Sequence, residues 1–206
     1  MGDDMIRNFG VVIAICGALF VFGGETFAIW TFGIEVEADE EKATMDLKFA
    51  SDEMFAEYGG DDSDPDESFG YDDSDCECDE IKDFFSNLQM MFYALIVCGI
   101  GLAYIGNSGE NMESIPTVAG VTALLSVAIL AYTFMSLPEA FEEDTELFAM
   151  LDEVFDWDVD PSFFVNDERE DGDTNIHLKA MPHVGYFLPV VSLTLAGLLV
   201  RPELLD

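Results

Sequence analysis

The sequence predicts a mainly α membrane protein: a four-transmembrane-helix bundle carrying a small acidic α+β extracellular domain formed by its two long loops. Three observations predict it. The 206 residues include 43 Asp and Glu against 7 Lys and Arg, a formal charge of -36, yet half of them are hydrophobic. The mean hydropathy is positive, +0.22. The two tendencies are segregated, so that long uncharged runs alternate with acidic stretches. A disordered acidic chain would be poor in aromatics, and 18 Phe do not fit one. Nucleic acid is not expected as a partner, because neutralising phosphates takes clustered Lys and Arg.

The first apolar stretch runs from Asn8 to Gly24, is interrupted by Glu25, and continues from Thr26 to Ile34. Crossing ~30 Å of hydrocarbon takes about 20 apolar residues in a helix. The stretch is therefore read as a span over residues 9–33. Its start, Met1 to Arg7, is net acidic and the stretch is long, so it does not read as a secretory signal. Glu25 becomes the only charge inside a predicted span. An ionisable group at that depth is a functional hypothesis, unless it reaches the outer headgroups.

Residues 34–83 form the first acidic loop, with 21 Asp and Glu. Ile34, Val36 and Ala38 alternate with glutamates, and Met45, Leu47 and Phe49 alternate with Asp46 and Lys48. Such a period of two predicts two half-buried strands connected around Glu40 and Glu41. Gly59 to Glu80 is low in complexity and reads as solvated loop. Within it Asp62, Asp64 and Asp66 are spaced like the start of a calcium loop. The position that must turn sharply is Glu67 rather than Gly, however, and the last ligand position is Asp73 rather than Glu. These four are cation candidates only, and loosely held hydrated cations need no motif. Cys76 and Cys78 flank one residue. A bond between them closes a small strained ring; a bond to a second chain, a soft-metal site or two free thiols are the alternatives.

Uncharged runs of 26 and 25 residues, Phe84–Gly109 and Ser114–Pro138, give spans over 84–106 and 115–137 with a turn over 107–114. The second acidic loop, 138–180, opens on Pro138 with Glu139, Glu142 and Glu143. Phe141, Leu147, Phe148, Leu151, Val154 and Phe155 follow at helical spacing, which predicts an amphipathic helix from Pro138 to Trp157. Asn166 to Asn175 reads as acidic loop. The run of 21 uncharged residues from Ala180 to Val200 gives the last span, over 181–201.

Small residues at four-residue spacing mark faces where helix backbones approach closely in lipid: Gly10, Ala14 and Ala18; Gly99 and Ala103; Ala119 and Ala123; Ser192 and Ala196. Trp30, Tyr104, Tyr132 and Tyr186 stand near span ends, where interfacial anchors belong. Arg7 and Arg201 lie on the side of the short termini, which places the termini in the cytoplasm and the acidic loops outside. At about 8 Å of screening length in 0.15 M salt the acidic surface would repel itself, and at 1 M the length falls to about 3 Å. The composition resembles that of a haloarchaeal protein, or of a virus infecting such a host.

Ala28 to Ile34 at the exit of the first span, Asn87 to Val97 at the entry to the second and Gly185 to Leu188 in the fourth resemble the claudin and peripheral myelin protein group, and more loosely the tetraspanins. That resemblance implies cytoplasmic termini, two outer loops, and strands from the larger first loop packed beside the bundle. The chain departs from the group in lacking its Gly-Leu-Trp motif and in its nearly adjacent loop cysteines. No Ser-His-Asp pattern, phosphate loop or haem pair is present, and neither an enzyme nor a cofactor is expected. The expected role is structural or organising, with membrane lipid and either another envelope protein or a second copy as partners. An accessory subunit of a membrane complex or a small ion channel is the alternative.

Overall fold

The computed structural model describes residues 2–38, 41–60, 66–71, 78–144, 163–171 and 174–201. Helix α1 (Asp3–Phe22) stops at a Gly23-Gly24 pair, where Gly24 takes a left-handed φ of 54° that favours glycine. One 3-10 turn (Gly24–Phe27) then leads into strand β1 (Trp30–Ala38). The first apolar stretch is thus a helix, a turn and the start of a strand, not one span over 9–33.

Strands β2 (Glu41–Phe49), β3 (Glu53–Gly59) and β4 (Glu67–Gly70) follow, then α2 (Asp79–Ser108) and α3 (Ile115–Asp144). Strands β5 (Val165–Asp171) and β6 (Thr174–Pro182) precede a 3-10 turn (Val184–Phe187) and helix α4 (Leu188–Val200). The six strands make one antiparallel sheet in the order β4-β3-β2-β1-β6-β5.

The fold class differs from the expected one. Among the described residues the fold is α+β, a six-stranded antiparallel sheet with four helices beside it, rather than mainly α with a small appended domain. Among the described residues three helices, α1, α2 and α3, are long and apolar enough to cross a membrane. The last apolar helical stretch, Val184–Val200, falls short of that length. Its uncharged run was divided: Ala180 to Pro182 end β6, and the α-helix itself has 13 residues. The expected loop over 166–175 is instead β5 and the start of β6, paired from Val165↔Ala180 to Asp171↔Thr174. Helix α3 runs unbroken through Pro138 to Asp144, so Pro138 does not begin a new helix; residues 145–157 of the expected amphipathic helix lie outside the described residues.

Why the sheet forms is visible in its register. Phe32 pairs with Leu47 and Ala180, Ile34 with Met45 and Leu178, and Val36 with Ala43 and Ile176. The alternation puts these side chains on one face, and Glu35, Glu37, Lys42, Asp46, Lys48 and Lys179 on the other. The apolar face closes over the end of α3: Phe141 lies 4.9 Å from Phe32, 5.4 Å from Trp30 and 5.5 Å from Phe49, ring centre to ring centre.

The helices pack in sequence, and α4 also contacts α1. Between α1 and α2 the backbones touch. A Cβ on Gly99 would stand 2.5 Å from the Ala14 nitrogen, one on Gly106 2.5 Å from the Arg7 nitrogen, and one on Gly10 would collide with Ala103. The opposite faces carry apolar side chains outward: Leu124 is 73% exposed, Val97 67% and Ile15 49%. Apolar surface of this extent marks a face that meets lipid or another protein.

Candidate functional site

The candidate site is the junction where the bundle meets the sheet. Two ties fix it. Ser51, in the β2–β3 connection, donates to the Val21 carbonyl at the end of α1 (3.0 Å), and Gln89 of α2 donates to the Ser51 carbonyl (2.7 Å). Tyr71, just past β4, stacks on Phe85 of α2, and its hydroxyl lies 3.1 Å from the carbonyl oxygens of both Ala50 and Glu53. Burial, and then the charges of Asp52 and Glu53, push that phenol well above its ordinary range, so it stays a donor.

Glu25 sits on the turn after α1 and not within a span. Its carboxylate accepts from Lys48 of β2 at 2.7 Å, and Lys48 also donates to Glu57 of β3 at 2.5 Å. The Lys48 ammonium holds the Glu25 carboxyl below its usual range. Burial pulls the Lys48 ammonium down, but the two carboxylates outweigh it and the net movement is upward. An ion pair at this place joins three elements, the turn after α1, β2 and β3.

Between α2 and α3 lies a cavity of about 420 Å³. Glu80 and Asp83 of α2 face Glu139 and Glu143 of α3 across it, over Phe84 and Tyr132, which stack at 5.0 Å. Asn87 donates to the Tyr132 hydroxyl at 3.4 Å. Above the cavity the Asp144 carboxylate accepts from the backbone N–H groups of Glu80 (3.2 Å) and Ile81 (2.7 Å). It thereby caps α2, whose own N-cap, Cys78, makes no side-chain cap bond. Four carboxylates thus crowd this groove, but among the described residues no group of three or more His, Cys, Asp or Glu is disposed to hold a metal ion.

The residues singled out in sequence are placed as follows. Gly10, Ala14, Gly99 and Ala103 meet in one crossing of α1 on α2, with Ala18 half-buried one turn on. Gly17, against Phe92 and Ile96, and Gly106, against Arg7, belong to the same seam, although the four-residue stripe missed them. Ala119, Ser192 and Ala196 are fully buried and Ala123 half-buried. Trp30 is no interfacial anchor: it is 1% exposed beneath the sheet and donates its ring N–H to the Phe163 carbonyl at 2.9 Å. Tyr104 is exposed on α2, while Tyr132 and Tyr186 are half-buried. Cys78 is disulfide-bonded and Cys16 and Cys98 are free; Cys76 lies outside the described residues. So do Asp62, Asp64 and Asp73, whereas Asp66 is exposed just before β4.

No family model matches the chain, and no curated protein matches it.

Proposed function

We propose that this protein is an integral membrane component of a halophilic envelope, cellular or viral, that organises neighbouring proteins through lateral or extracellular contacts. The observation that carries the reading is the division of its surface: α1, α2 and α3 turn large apolar side chains outward, while the sheet presents a charged face. The first surface fits lipid and the second fits concentrated salt. Arg7 is at the end of α1 away from the sheet, which favours a cytoplasmic amino terminus and an outward-facing sheet. The claudin-like layout is part of the proposal. It is supported by the origin of β1 to β4, all drawn from the segment between α1 and α2. A conducting role called for Glu25 on a water-filled path, and its pairing with Lys48 favours the organising role instead.

Gentle detergent extraction in high salt, followed by mass spectrometry of the intact species, tests the reading. A stoichiometric envelope protein or a defined homo-oligomer is expected. A protein that migrates only as a lone monomer at every protein-to-detergent ratio would count against an organising role.

A further inference from the structure

The upper boundary of the apolar surface is not level around the molecule. On α2 the exposed large apolar side chains begin at Met90, and Lys82, Asp83, Ser86 and Asn87 are exposed above it. On α3, Tyr132 is level with Phe84 and Asn87 of α2, because it stacks on the one and is hydrogen-bonded to the other. Met135 is three residues, about 4.5 Å, nearer the sheet, and it is 72% exposed. At the height where α2 shows charge and amide to solvent, α3 therefore shows hydrocarbon.

That exposure continues sideways through aromatic contacts. Phe134 lies 6.2 Å from Phe164, and the buried Phe163 connects Phe134 to Tyr186 and so to Phe187. Phe134, Phe164 and Phe187 are each about half exposed, and Val184 is 50% exposed beside them. Together they form a ledge on the α3–α4 side of the junction, directly under the β5–β6 end of the sheet.

From this we infer that the ledge is immersed in the headgroup and acyl boundary of the same bilayer that holds the helices, so that the β5–β6 end of the sheet rests on the membrane and the acidic α2 side stands clear of it. The inference rests on the membrane reading above. Lipid is the occupant because the ledge is continuous with the outward apolar faces of α3 and α4, and because phenylalanine and aliphatic side chains on the apolar face of an interfacial segment bury at that depth. Side chains so placed reach about 5–10 Å into the interface.

The test uses the full chain in phosphatidylglycerol nanodiscs in concentrated salt, with Cys16 and Cys98 replaced by Ala. Nitroxide labels are placed one at a time on Met135→Cys, Phe187→Cys, Ser86→Cys and, as a mid-helix control, Leu124→Cys. Collision with oxygen, which concentrates in hydrocarbon, is compared with collision with a water-soluble nickel chelate. The expected result is an oxygen-favoured ratio at 124, 135 and 187 and a chelate-favoured ratio at 86. Chelate-favoured ratios at 135 and 187 with 124 still in lipid would overturn the ledge and leave the membrane reading standing. A chelate-favoured ratio at 124 would overturn both. Labels at 135 and 187 shielded from both reagents and broadened by a neighbouring spin would assign the ledge to a second copy and overturn the lipid assignment.

Discussion

Lys48 stands between Glu25 and Glu57 with 18% of its side chain exposed, whereas the two carboxylates keep 43% and 41%. Removing the cation leaves two carboxylates facing each other where chain segments from a helix end and two strands converge. Lys48→Met should therefore lower the unfolding free energy by about 1–2 kcal/mol, and Glu25→Gln by less than about 1 kcal/mol, since its carboxylate is already well solvated. The pH dependence has a definite sign. Hydrogen bonding from Lys48 lowers the Glu25 proton affinity in the folded state, so its contribution is present above the ordinary glutamate range. It is lost as pH falls through the lowered value. Thermal unfolding of the detergent-solubilised protein at a series of pH values should show the gap between Glu25→Gln and the parent closing toward acid. A gap that widened toward acid would remove the pair from this role. Glu25 was legible in sequence as a lone charge in an apolar stretch. Its partner was not, because Lys48 comes within reach only through the pairing of β2 with β1 and β3.

Glycines on the helices divide by what a methyl group would meet. On α2, Gly99 faces the Ala14 backbone nitrogen, and a Cβ there would stand 2.5 Å from it. A Cβ on Gly101, two residues on, meets nothing within 4 Å. Gly99→Ala should force α1 and α2 apart and cost about 2 kcal/mol or more through lost packing. Gly101→Ala should be neutral, or stabilise by up to about 1 kcal/mol through helix propensity. Melting temperatures of the two variants in the same detergent decide it, and equal melting would mean that the crossing admits a methyl group at Gly99. At this scale the sequence was legible where a period was clean. The alternation around Ile34 and Met45 marked β1 and β2, and the small-residue spacing marked the α1–α2 crossing. It failed where an uncharged run was equated with a helix. Gly23-Gly24 stops α1, and Trp30 to Val36 then alternates as a strand inside what looked like a span. In the same way Ile176, Leu178 and Ala180 alternate into the sheet, which shortens the last helix. Strand β5, Val165–Asp171, is an edge strand dominated by charge, and its pairing with β6 gives no local periodicity to read.

For the whole molecule the balance lies between a long-range repulsion and a short-range aromatic core. Carboxylates crowd the sheet and the upper ends of α2 and α3, while the outward faces of the helices are uncharged and indifferent to salt. Diluting salt from 1 M to 0.01 M lengthens the screening distance from about 3 Å to about 30 Å, enough for every acid on the sheet to sense the others. Against this stand Phe32 and Phe49, each within 4.9 to 6.0 Å of both Trp30 and Phe141, and the ties through Ser51, Tyr71 and Asp144. These contacts connect the sheet to the helices but hold only one of its faces, and the helices hold one another without it, through the α1–α2 seam. The sheet should therefore loosen first. On stepwise dilution of salt, near-ultraviolet dichroism from the aromatic cluster should fade at higher salt than the far-ultraviolet helix signal. An uncharged osmolyte at equal osmolality should not substitute for salt, because it provides no screening. If the helix signal fell together with the aromatic one, the bundle would depend on the sheet, and the acid would be acting on the whole fold rather than on the part that carries it.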